Sequence, residues 1–180
     1  MSIARFLLLI IVTVMAPVFA VTSVSRHDEM SHQFTSDVAI SSGLIAKVRD
    51  VTKSLRDDAA ARGAGYVSML GCVSGPQEGA MGTHYINDTY ARDGVLDVKR
   101  PEALIFDNGR LVGVEFIVPA AVWHEKHAEP ATVEGHLMHY VGSPNRYAMD
   151  PFYELHVWAW RENPHGSFAD WNPHVSCDGQ

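Results

Sequence analysis

The spacing of apolar positions changes character along this chain. Phe6 to Met15 is an apolar run broken only by Thr13, with Arg5 before it and Pro17 and Val18-Phe19-Ala20 after it. A positive end, an apolar core shorter than the about 20 residues that span a bilayer, and compact residues ahead of a cut predict a signal peptide over residues 1–20. A retained N-terminal anchor is the alternative reading, while the absence of cysteine at the cut disfavours a lipid anchor. Residues 21–35 are polar and rich in Ser and His, and read as a flexible leader.

A helical period follows. Ile40, Leu44, Val48, Val51, Leu55 and Ala59 recur every three or four residues and form one apolar stripe, with Lys47, Arg49, Asp50, Lys53, Arg56 and Asp57 largely opposite. Ser36 and Asp37 offer side-chain oxygens to the free amides of a first turn, and Gly63 and Gly65 mark a stop. The pattern predicts one long amphipathic helix.

Beyond Gly65 the period becomes that of strands punctuated by Gly, Pro and Asn. The predicted strands cover Tyr66–Val73, Thr83–Ile86, Ala103–Phe106, Leu111–Val118, Val133–Val141 and Phe152–Trp160. Asp107-Asn108-Gly109-Arg110 is a hairpin signal, because Asn and Gly accept the positive φ that a tight turn demands. One helix followed by several strands predicts residues 36–180 as a single α+β domain, its long N-terminal amphipathic helix packed on a curved antiparallel sheet or partly open β-barrel.

Charge and cysteine usage narrow the class. The 180-residue chain carries −7 at neutral pH, and losing Arg5 with a signal peptide makes the remainder one unit more acidic. Nucleic acid and anionic membrane surfaces call for basic patches, so neither is an expected partner. No stable membrane anchor is expected once the signal peptide is cleaved. Cys72 and Cys177 are the two cysteines. In an exported protein they most simply form one disulfide, which would tie the C-terminal tail back to the segment after the helix.

Candidate chemistry comes from polar residues in strands that otherwise look buried. Alternation in Tyr153-Glu154-Leu155-His156-Val157-Trp158-Ala159-Trp160 puts Glu154, His156, Trp158 and Trp160 on one face. Glu115 lies in the similar run Gly113 to Val118, and His84 follows a glycine-rich loop. If these segments line one cavity, His84, Glu115, Glu154 and His156 supply imidazoles and carboxylates for a divalent metal such as zinc or copper. Trp158, Trp160 and Tyr85 would then wall a small-ligand site. A closed network of His–Glu pairs that fixes sheet register is the competing reading. The pairs His124/His127 and His136/His139 are weaker candidates: the first sits in a charged stretch, and residues three apart in a strand face opposite ways. GxSxG, HExxH, CxxC and phosphate-binding glycine motifs are all absent from the sequence.

The segments Gly71-Cys72-Val73-Ser74-Gly75-Pro76, Gly79 to Asn87, Leu111 to Phe116, Tyr153 to Arg161 and Phe168-Ala169-Asp170-Trp171-Asn172-Pro173-His174-Val175-Ser176-Cys177 together resemble a widespread group of exported bacterial proteins of unknown function. The Met81-Gly82-Thr83-His84 segment is also similar to that of the TTHB210-like proteins. The resemblance implies export and brings no catalytic residue. The leading expectation is an exported protein binding a metal ion or small ligand in a sheet-lined cavity. A metal-assisted hydrolase or oxidase, and an envelope structural or interaction protein, stand as alternatives, with the oligomeric state open.

Overall fold

The computed structural model describes residues 43–69, 71–75 and 77–178. The signal-peptide and leader segments, and the start of the first helix, lie outside the described residues.

Helix α1 runs over 43–52 and buries Leu44, Val48 and Thr52, a stripe at spacing four. It does not continue to Ala59 as the apolar spacing predicts. Asp57 is extended, at φ −137°, and its carboxylate accepts from the Ala60 amide, so it caps a second short helix, α2, Asp58–Gly63. The break also serves the sheet: the Arg56 carbonyl accepts from the Leu111 amide at 3.2 Å, and Asp57 bridges to Arg110. Leu55 is only partly buried and Ala59 exposed, while Ala61 takes the buried position in α2.

Among the described residues nine strands follow: β1 Val67–Ser68, β2 Val73–Gly75, β3 Gly79–Ile86, β4 Ala103–Asp107, β5 Arg110–Pro119, β6 Thr132–Val133, β7 His136–Leu137, β8 His139–Val141 and β9 Phe152–Val157. The short helices α3, Asp88–Arg92, and α4, Ala120–His124, follow β3 and β5. The main sheet has seven strands in the order β1-β3-β4-β5-β9-β8, with β2 also pairing β3, and it is open rather than closed. Every pairing is antiparallel. Helix with antiparallel sheet is the α+β class expected.

The hairpin between β4 and β5 turns at Asn108 and Gly109, with φ of 48° and 73°. The predicted strand Val133–Val141 is instead three pieces, because Glu134 and Gly135 both take positive φ and fold β6 onto β7. The predicted strand Tyr66–Val73 is likewise split between β1 and β2, each short and paired to a different end of β3.

Alternation gives the sheet two unlike faces. Leu104, Phe106, Val114, Phe116, Val118, Tyr153, Leu155 and Val157 pack with Leu44, Val48 and Ala61 in the principal core. Each such side chain buried contributes about 1.5–3 kcal/mol, so this face holds the helices on the sheet. The other face carries two smaller apolar groups, Ala80, Ile105, Val112, Trp158 and Val175, and Ala103, Ile117 and Phe152. The polar strand residues fall on this second face.

Candidate metal centre

Register brings these polar residues together. Glu115 of β5 pairs with His156 of β9, Ile117 with Glu154, and Glu154 with His139 of β8. On the other side Glu115 pairs with Ala103 of β4, and His84 of β3 pairs with Ile105. Ala103 is small and fully buried, so His84 reaches over β4 and places Nε2 3.3 Å from Glu115 Oε2. The His84 and His156 rings meet edge to face, centroids 5.7 Å apart. His84, Glu115 and His156 each offer a ligand atom, and these atoms lie within 4.8 Å of one another. All three are buried, His156 at 1% exposure.

A cavity of about 60 Å³ opens beside them, lined by Met69, His84, Ile86, Glu115, Ile117, Tyr147, Met149, Phe152 and Glu154. Its walls are mainly apolar, with the imidazole and two carboxylates as its polar patch. Such a space accommodates an ion with a few water molecules or a small ligand.

The C-terminal segment closes the same face. The Trp158 indole donates to the Ala169 carbonyl at 2.6 Å, and Ala80 and Asn172 exchange backbone hydrogen bonds at 3.2 and 3.1 Å. Gly79 makes this approach possible: it has φ +90°, and a Cβ there would stand 2.2 Å from the Asn172 carbonyl oxygen. The Cys72–Cys177 disulfide, with its Cα atoms 5.4 Å apart, fastens the end of the segment. Asp170 is thereby delivered to the cluster, its Oδ1 lying 3.4 Å from His156 Nδ1 and 3.1 Å from His139 Nδ1.

Burial, reinforced by the neighbouring His156, pushes His84 down to about 3, so its ring is neutral near pH 7 and keeps a lone pair for a ligand. Burial would also lower His156, but Glu115, Asp170 and Glu154 outweigh it and raise this ring to about 9. Burial drives Glu115 well above the usual carboxylate range; His156 opposes that rise and Glu154 adds to it. Asp170 resists the upward push of its own burial and is held low by His156 and His139. One buried pocket thus holds strongly perturbed groups of both signs, a mark of functional sites.

No family model, no curated protein and no solved structure matches the chain. The geometry therefore stands on its own chemistry. Among the described residues no helix is long and apolar enough to cross a membrane.

The three aromatic expectations separate. Trp158 remains at the site, its ring near-parallel to that of His156 with centroids 6.3 Å apart. Trp160 does not. Strand β9 ends at Val157, the Ala159 amide turns back to the Val157 carbonyl, and Trp160 swings to the helix face, where its indole donates to Thr52. Arg56 stacks on that ring at 3.7 Å. Tyr85 also leaves the proposed wall: being adjacent to His84 in β3 it points the other way, against Phe106. Among the weaker histidines, His124 bonds Tyr153 and His127 stacks on Trp123, both away from the cluster. His136 packs on Phe168. His139 does join the site's edge. Asp170 is the residue that strand alternation misses, because it lies in no strand and arrives by the tail's path.

Proposed function

We propose that this protein binds a divalent first-row metal ion, zinc or copper, through His84, Glu115 and His156. One observation carries the reading: His84 Nε2 and Glu115 Oε2 are 3.3 Å apart. A charge-assisted N–H···O bond is about 2.7–2.9 Å long. Two ligand atoms about 2.0–2.1 Å from one tetrahedral ion stand about 3.3–3.4 Å from each other. The spacing matches that of two ligands sharing an ion and is longer than a charge-assisted hydrogen bond. Nε2 of His156 is buried without a hydrogen-bond partner among the described residues, which a closed His–Glu network would not leave.

The chain works outside the cytosol in this reading. Support comes from the Cys72–Cys177 disulfide, from the signal-like first twenty residues and from the resemblance to exported bacterial proteins. The cavity beside Glu115 leaves the ion accessible to water or a small ligand.

The test is the metal content of untagged protein after zinc or copper loading and gel filtration. At least one equivalent per chain is expected, and His84→Ala or Glu115→Gln should remove one. Sub-stoichiometric metal under all loading conditions, or content unchanged in both variants, overturns the reading.

A further inference from the structure

Glu154, His156 and Asp170 form a second group whose ligand atoms all lie within 4.8 Å of one another. We propose that this group is a second divalent-cation position, sharing the His156 ring with the first, so that the sheet face holds a pair of ions. The proposal rests on the metal-binding reading of His84, Glu115 and His156, and extends it to the Asp170 side.

The argument starts at the ring. An imidazole has two nitrogens pointing in divergent directions, and in a metal site the nitrogen that does not bind metal donates to a carboxylate, carbonyl or water. His156 is 1% exposed, and neither nitrogen has an aligned hydrogen-bond partner among the described residues. Asp170 Oδ1 stands 3.4 Å from Nδ1, longer than an imidazole–carboxylate hydrogen bond and at the separation of two tetrahedral ligands on one ion. The same spacing occurs at His84 and Glu115, so two separate N···O pairs in the cluster are held at the ligand distance.

Charge leads to the same place. Glu115, Glu154 and Asp170 surround His156 within a largely buried volume. Ions on both ring nitrogens displace the ring's N–H proton to solvent, so the imidazolate and the three carboxylates carry four negative charges, which two divalent ions balance, and buried charge without compensation is costly. Access is present as well. His139 is half exposed, pairs across the strands with Glu154, and hydrogen-bonds Asp170 Oδ1 through Nδ1 at 3.1 Å, so it marks where this position meets solvent. Imidazole with carboxylate oxygens suits zinc or copper(II).

Zinc stoichiometry of the untagged full chain separates this proposal from the reading beneath it. Wild type should retain two zinc ions per chain after gel filtration. Asp170→Asn and Glu154→Gln should each retain one, and His84→Ala should also retain one from the opposite side. One ion in wild type and one in Asp170→Asn overturns the second position alone, as do two ions in a folded Asp170→Asn. No zinc in any of them overturns both. Copper(II) loading of wild type needs no variant: ions on the two nitrogens of one ring couple magnetically. The EPR intensity should therefore fall below the bound copper as the second equivalent enters. Two bound equivalents at full intensity would exclude the shared ring.

Discussion

Glu115 and His156 face each other in direct register across β5 and β9, each buried on the sheet face opposite the helices. A carboxylate and an imidazole fixed in this way by backbone hydrogen bonds cannot drift apart without unpairing two central strands. Preorganisation of that kind lowers the ordering cost of a ligand.

Zinc should therefore stabilise the fold. At free zinc about 100 times Kd, one ion adds about 2.7 kcal/mol, enough to raise the melting temperature by several degrees. Glu115→Gln should melt close to the wild-type apo temperature when zinc is absent and lose the part of the shift that the ion at His84 and Glu115 supplies. Calorimetry with and without zinc measures this, and an undiminished shift in the variant would count against Glu115 as a ligand.

Glu102 should make stability fall with rising pH. It is fully buried beside β4, one carboxylate oxygen accepts from the Ile117 amide at 3.1 Å, and the other has no hydrogen-bond partner among the described residues. Burial raises its pKa from 4.5 to about 8, only partly offset by the Ile117 amide. Because the folded value lies above the unfolded one, its contribution is complete below about pH 4.5 and is lost as pH climbs through about 8. Denaturant titrations from pH 5 to 8.5 should show a decline that is shallower in Glu102→Gln. An identical slope would show that Glu102 carries no such linkage.

Removing the disulfide as Cys72→Ser with Cys177→Ser opens a loop whose ends are 105 residues apart. The chain-entropy treatment puts the loss at about 4–5 kcal/mol. Urea denaturation reads the total. Hydrogen exchange should show the Ala80 and Asn172 amides losing protection ahead of the β4–β5 hairpin.

Gly79→Ala should cost more than about 1 kcal/mol, since the native φ is +90° and the new methyl meets backbone that has no rotamer to move into. Trp171, packed on the neighbouring Gly75, should report the displaced tail through a shifted emission maximum. An unchanged stability would mean that the tail can move aside without loss.

Much of the sheet was readable because alternation is local. The β4–β5 hairpin, β9 and the shared face of Glu154 and His156 follow from period two and an Asn-Gly turn. The helix break at Asp57 was hidden, since capping and a bridge to Arg110 are decided by the fold rather than by the apolar stripe. Trp160 misled for a related reason: alternation predicts its side only while the strand lasts, and β9 stops three residues earlier. Asp170 was out of reach of any periodicity. The pairing of Cys72 with Cys177 indicates that the tail returns to the segment after the helix, though not which side chain it carries there.

The two faces of β9 have a consequence for folding fidelity. A shift of one residue against β5 would drive Glu154 and His156 into the hydrocarbon core and turn Leu155 and Val157 toward the carboxylates. Many strands are fixed in place from one side, with water tolerating whatever the other side presents. Here a misaligned strand is rejected by both neighbours at once, so the chemistry that makes this face costly to bury also selects the one alignment in which the chain can come to rest.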